Sequence, residues 1–298
     1  MTYSIVALDQ QTGELGVAVQ TRWLAAGAGV PWARPGVGAI ATQSFTDPRY
    51  GHAGLELLAA GRSPDDALAE LLAADPDPGG RQVGMVDAAG RSAAHTGTGC
   101  VAQAGHLIAD GVSVQANMME RSAVWPAMLA AFEAAGGDLA ARLVAALRAA
   151  EAEGGDVRGR QSAAILVVPG DIDARPWSTR FDLRVDDAAA PLDELERMLG
   201  VARGYEAFEL ALAALAAGER TAALAFFEQA ASLAPDDDQI RLWLALAVFD
   251  SGDEMRGRRL YRSALAAEPR SGEHLRRFVA AGQLPGAGRL VEALVAGD

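Results

Sequence analysis

The chain has 298 residues, 50% of them hydrophobic, and a formal net charge of -13, so it is long enough for two domains and apolar enough for packed cores. All 26 basic residues are arginine, which excludes a Schiff-base lysine, a Walker-type phosphate loop and any Ser-Lys or Thr-Lys catalytic pair. A single cysteine, Cys100, excludes an internal disulfide and a cysteine-based zinc site.

In chain order, residues 3–8 and 15–21 are β-rich runs around a turn at residues 9–14 and predict an opening hairpin. Residues 36–43 form a third run of small side chains, suited to lie between packed layers. Two helices are expected next, one centred on residues 54–60 and stopped by Gly61, the other capped by Ser63 with Pro64 at its first position. Strands follow at 82–87, 92–96 and 111–115, then helices over 121–134 and 138–153. The apolar run at 162–168 predicts a buried strand with residues 180–185 as its partner, and a helix over 190–202 closes this part. That order suits a layered α+β fold with helices outside two sheets.

From Tyr205 onward the pattern is helical and repeats every 34 residues: Leu210 with Leu244, Ala211 with Ala245, Gly218 with Gly252, Phe227 with Tyr261, Ala230 with Ala264, and Pro235 with Pro269. This is the tetratricopeptide pattern, although Ala207 and Arg241 stand at its opening tryptophan position and Gly257 replaces the packing alanine. A shortened third helix pair is expected over 272–296. The division gives a first domain at 1–203 and a repeat domain at 205–298.

The usual chemical signatures are missing. The four histidines, His52, His95, His106 and His274, have no metal-ligand spacing, and no cofactor or metal is expected. Gly97-Thr98-Gly99-Cys100 lacks the strand-to-helix setting of a dinucleotide fingerprint and reads as a turn; Cys100 reads as packing among small residues. Thr2 is different. Removal of Met1 would leave a threonine whose own α-amine, with a pKa near 8, can take the proton from its hydroxyl. The hairpin that follows would hold this terminus at a strand end.

A family resemblance attaches to Thr2-Tyr3-Ser4-Ile5-Val6-Ala7, Thr12-Gly13-Glu14-Leu15-Gly16-Val17-Ala18-Val19, Val30-Pro31-Trp32-Ala33, Gly38-Ala39-Ile40-Ala41-Thr42-Gln43, Asp47-Pro48-Arg49-Tyr50-Gly51, Gly159-Arg160-Gln161-Ser162-Ala163-Ala164 and Asp182-Leu183-Arg184-Val185-Asp186-Asp187. Over residues 1–203 the chain resembles a bacterial domain-of-unknown-function family, number 1028. The resemblance implies an N-terminal-nucleophile-hydrolase-like fold, a four-layer αββα sandwich, with Thr2 as the nucleophile. Around it, Arg22 is the nearby cation. Gln43 and Asn117, at strand ends, either hold an oxyanion or substrate carbonyl or bond loop backbone. Asp156, Arg158, Arg160, Gln161 and Ser162 form a polar loop in which an arginine would take a substrate carboxylate. Arg49 and Tyr50 read as a helix-entry turn, and Asp186 and Asp187 as a solvated turn or cap.

The expected function is hydrolysis of an amide bond in a small or peptide-like substrate. The alternative is a non-catalytic scaffold whose repeats recruit a protein partner. A homo-oligomer fits either; no basic stripe suggests nucleic acid, and no run of roughly 18 apolar residues suggests a membrane span. The amino terminus lacks signal-peptide features, so the expected location is the cytoplasm.

Overall fold

In the computed structural model, which describes residues 2–284 and 287–296, the opening hairpin forms from β1 (Thr2–Leu8) and β2 (Leu15–Thr21), paired from Thr2↔Thr21 to Leu8↔Leu15. Both strands are buried along their length, as expected where the two faces of a sheet are covered. The contact pattern divides the chain into one unit ending at Arg197 and a second beginning at Met198.

The first unit continues with β3 (Pro31–Arg34), β4 (Gly38–Ser44), α1 (Arg49–Ala59), α2 (Pro64–Ala74), β5 (Arg81–Asp87), β6 (Ser92–Thr96), β7 (Gly105–Ala109), β8 (Val112–Ala116), α3 (Val124–Ala134), α4 (Leu139–Ala152), β9 (Ser162–Val168) and β10 (Phe181–Val185). Its strands make two antiparallel sheets, ordered β10-β9-β2-β1-β8-β7 and β3-β4-β5-β6. Strand alternation assigns the faces. Val6, Val17, Val19 and Ala164 of the larger sheet meet Ala39, Ala41 and Val86 of the smaller in one apolar cluster. On the other face of the smaller sheet, Ile40, Val83 and Met85 pack against Leu55, Leu58, Ala67 and Leu68 of α1 and α2. Helix α4 lies along β1 and β2; Gly16 gives it room, since a Cβ there would stand 2.7 Å from Leu143.

Ser63 caps α2 by accepting from the Asp66 N–H at 3.1 Å, with Pro64 next in line, and Asp138 caps α4 through Ala141 at 3.0 Å. Two edge strands escape the sequence reading. β3 opens on a proline, which suits an edge, and β7 carries exposed Leu107 and Ile108, so its alternation is blurred. The helix expected to close at residue 202 instead runs as α5 (Pro191–Ala216). Gly204 does not end it; a Cβ there would stand 2.9 Å from Ala234, so glycine serves close packing.

In the second unit α6 (Arg220–Leu233), α7 (Asp238–Asp250), α8 (Glu254–Ala267), α9 (Ser271–Ala280) and α10 (Gly288–Val295) follow. The paired positions Ala211 and Ala245, Phe227 and Tyr261, and Ala230 and Ala264 are buried alike. Gly218 and Gly252, with φ of 79° and 98°, occupy the left-handed turns between helices. Leu210 departs from its mate, being 53% exposed where Leu244 is buried. Positions 285, 286, 297 and 298 of the expected repeats, and Met1, lie outside the described residues. Among the described residues no helix is long and apolar enough to cross a membrane.

Candidate functional site

Antiparallel pairing decides what surrounds Thr2. Thr21, the last residue of β2, lies opposite it, and Ser162, the first of β9, lies opposite Thr21. On the other side Thr2 and Asn117 exchange backbone hydrogen bonds, Thr2 N–H to Asn117 O at 3.3 Å and Asn117 N–H to Thr2 O at 3.0 Å. The Thr2 hydroxyl donates to the Thr21 hydroxyl at 3.1 Å. Thr2 is 4% exposed.

Between the sheets, next to Thr2, lies a buried polar network with no charged member. Gln43 Nε2 donates to Thr2 O at 3.2 Å, Gln115 O at 3.3 Å and Gln82 Oε1 at 2.8 Å. Its Oε1 accepts from Ser4 at 2.7 Å, and Ser4 Oγ accepts from Gln115 Nε2 at 2.6 Å. Gln115 Oε1 accepts from Ser113 at 2.8 Å. Gly84 makes space for that amide, because a Cβ there would stand 2.2 Å from Gln115 Oε1. Gln82 Nε2 reaches Ala116 O at 2.8 Å, Thr96 Oγ1 at 2.9 Å and Gly105 O at 3.2 Å, and Asn117 Nδ2 donates to Gln82 Oε1 at 2.7 Å. Amides bonded to one another and to the backbone in this way specify a single interior arrangement. Gln43 directs its Nε2 to two backbone carbonyls and the Gln82 amide, and Asn117 directs its Nδ2 to the same Gln82 oxygen.

The loops above this strand end add charge. Asp156 Oδ2 accepts from Arg22 N–H at 3.2 Å and from Arg158 Nη2 at 2.8 Å. The Arg22 guanidinium donates to Gln161 Oε1, and Gln161 Nε2 to Asp187 at 3.1 Å. Ser162 Oγ donates to Trp23 O at 2.6 Å and accepts from Ala26 N–H at 3.1 Å, tying the segment after β2 in place. Among the described residues, three non-glycine positions have left-handed backbones, Ala25 (φ 55°), Ser44 (φ 69°) and Met118 (φ 57°). All three lie at this end, two of them directly after Gln43 and Asn117. Strain of this sort persists where the surroundings over-determine it, often at functional sites.

Arg160 sits apart. Its Nη1 lies 3.3 Å from Glu151 Oε1 on α4, while Glu151 Oε2 accepts from Tyr3 OH at 2.6 Å and Gln20 Nε2 at 2.9 Å. Tyr3 and Gln20 alternate with Thr2 and Thr21, so this cluster lies on the α4 face of the sheet. Burial, aided by the Glu151 charge, holds the Tyr3 phenol well above its ordinary pKa.

The structure therefore brings Thr2, Gln43 and Asn117 together, sets Ser162 beyond Thr21 in the same row, places Arg22, Gln161 and the buried Asp156 in the loops at this end, and engages Arg160 with Glu151. Sequence reasoning missed Thr21, Ser4, Gln82 and Gln115. The available signal was a glutamine in each of three otherwise small or apolar strands, around positions 43, 82 and 115. Cys100 donates to Arg81 O at 3.4 Å, among loop backbone. No group of three or more His, Cys, Asp or Glu side chains that could hold a metal occurs among the described residues.

The model described as "Family of unknown function (DUF1028)" matches residues 2–195, and one described as "Tetratricopeptide repeat" matches 214–282. A crystal structure of a protein from Silicibacter pomeroyi, described under the same family of unknown function, is similar at 32% identity. The match covers 66% of this chain and 87% of that one, with a TM-score of 0.60. No curated protein matches.

Proposed function

The chain belongs to the family of unknown function DUF1028, and we propose that its first domain is an amide-bond hydrolase of the N-terminal-nucleophile type. In this reading the two sheets and the helices α1, α2, α3 and α4 are the αββα layers of that fold, and the protein works in the cytoplasm on a small or peptide-like substrate. The observation that carries it is the convergence at Thr2: a threonine opening a buried central strand, ringed by Thr21, Gln43 and Asn117, where the left-handed non-glycine residues also gather.

Loss of Met1 converts the Thr2 nitrogen into an α-amine. That amine takes the hydroxyl proton as Thr2 Oγ1 attacks the amide carbonyl, and returns it to the departing amine as the C–N bond breaks. The acyl ester left on Thr2 is cleaved by water, whose proton the same amine accepts and hands back to Thr2 Oγ1. Arg22, one residue beyond Thr21, is the cation that would lower the pKa of the α-amine.

Intact mass gives the first test, since retained Met1 blocks the amine. A screen of amide substrates follows, in which Thr2→Ala abolishes turnover and Thr2→Ser keeps part of it. The rate rises with pH as the amine deprotonates, around pH 8. Full activity in Thr2→Ala removes Thr2 from the mechanism. A second reading, a binding scaffold, is favoured by the committed amides around a 4% exposed Thr2. Tetratricopeptide-type repeats suggest protein–protein interaction in either case.

A further inference from the structure

Asn117 is fully buried, and its Oδ1 has no hydrogen-bond partner among the described residues. Such an acceptor is costly to strand. Its identity as oxygen follows from the bonds around it. Ala116 O and Gly105 O can only accept, so the Gln82 atom facing them at 2.8 and 3.2 Å is the nitrogen. Gln82 therefore turns its oxygen toward Asn117, and the Asn117 atom 2.7 Å from it must be the nitrogen. The idle atom is an acceptor, on the strand face it shares with the Thr2 side chain and directly across the ladder from Thr2.

Resting on the hydrolase reading, we infer that Asn117 is a positioning residue whose Oδ1 and backbone oxygen together hold the α-amine of Thr2. A neutral amine has two hydrogens and one lone pair. Asn117 O, 3.3 Å from the Thr2 nitrogen, takes the first hydrogen and Oδ1 the second. The lone pair is then left pointing away from Asn117, free to collect the Thr2 hydroxyl proton. Two hydroxyl and amide neighbours without charge, Thr21 and Gln43, complete the surroundings on this face. The charged or titratable groups nearby are Arg22, Asp156 and Arg158 on the loops, Tyr3, Glu151 and Arg160 on the α4 face, and Arg81 and His106 on the strands beyond. The hydrogen bonds described for them go to other partners.

The chain offers a clean assay, because without lysine the α-amine is the one primary amine an acylating reagent can find. The acetylation rate with acetic anhydride, followed against pH by intact mass on protein that begins at Thr2, yields the pKa of that amine. Removing the acceptor in Asn117→Ala is expected to lower it by about one unit, and a carboxylate in Asn117→Asp to raise it by about one unit. The isosteric Asn117→Asp carries the test should the alanine variant fail to fold. An amine pKa equal in all three proteins, with turnover still lost in Thr2→Ala, overturns the role of Asn117 and leaves the nucleophile standing. Retained Met1, or full turnover in Thr2→Ala, overturns both.

Discussion

Replacing Gln82 by leucine keeps the volume of a fully buried side chain and removes both ends of its amide. The cost can be followed partner by partner. Gln43 Nε2 keeps two acceptors, Thr2 O and Gln115 O, and Thr96 Oγ1 keeps His106 Nδ1 at 2.8 Å. Asn117 Nδ2 loses Gln82 Oε1, leaving that side chain with both polar atoms stranded, and Ala116 O and Gly105 O lose a donor. A stranded buried donor costs about 1–3 kcal/mol, and a carbonyl that loses only one of its partners costs less. The added methyl surface offsets part of this, so the expected loss is roughly 2–4 kcal/mol, or about 4–16 °C in the melting temperature of a unit near 200 residues. Differential scanning fluorimetry and urea titration of the full chain read it directly, with the repeat unit's own transition as internal reference. A change below about 0.5 kcal/mol would mean that water fills the amide's place and that the network is not tight.

Two further expectations come from other parts of the molecule. Gly257 occupies the position where the repeat pattern has alanine, yet a Cβ there would stand 2.7 Å from Phe249 Cβ and 3.0 Å from its Cα and N. Gly257→Ala should therefore destabilise the repeats despite a helix-propensity gain of about 1 kcal/mol, and a higher melting temperature by circular dichroism would show that α7 and α8 can separate at no cost. Asp75, buried and bonded by Arg81 Nε at 2.7 Å, Tyr50 OH at 2.9 Å and the Asp77 N–H at 2.9 Å, is held well below the usual carboxylate range, chiefly by the Arg81 bond. Its folded pKa is depressed, so the stability it contributes is full above the unfolded value of about 4 and is lost as pH falls below that toward the folded value. Asp75→Asn should cost most near pH 7 and progressively less below pH of about 4; a difference in urea midpoint that stays constant from pH 7 to 3 contradicts this.

Much of the fold is visible in the residues. Two β-rich runs around the glycine-bearing turn at positions 9–14 mark β1 and β2, and the 34-residue spacing marks the helical repeats. What local pattern cannot carry is pairing at a distance. Gln43, Gln82 and Gln115 each look like a polar interruption of a strand, and only the stacking of two sheets makes them one network. Arg160 reads as a loop cation open to a substrate, because nothing in its own stretch reveals that Glu151 on α4 reaches it from beneath the sheet. β3 and β7 are hidden because an edge strand needs neither a continuous apolar run nor clean alternation. Thr2 is marked by its chemistry alone, and its neighbours Thr21 and Ser162 become neighbours only through strand order.

The uncharged network has a mechanical consequence. The apolar contacts farther along the sheets, among Val6, Val17, Ala39 and Val86, are non-directional, and valine sliding past alanine loses little. The amides cannot slide in this way. A two-residue shift of β4 along β1 would preserve which side chains face inward but carry Gln43 away from Ser4 and Thr2 and set it among valines, stranding several polar groups at once. Gln43, Gln82, Gln115 and Asn117 thus act as a key that fixes one sheet against the other, at the end where Thr2 stands. The two sheets are expected to breathe, if at all, by opening from the Leu8 and Asp87 end, so amide hydrogens near Thr2 should be the last of the strand hydrogens to exchange with solvent.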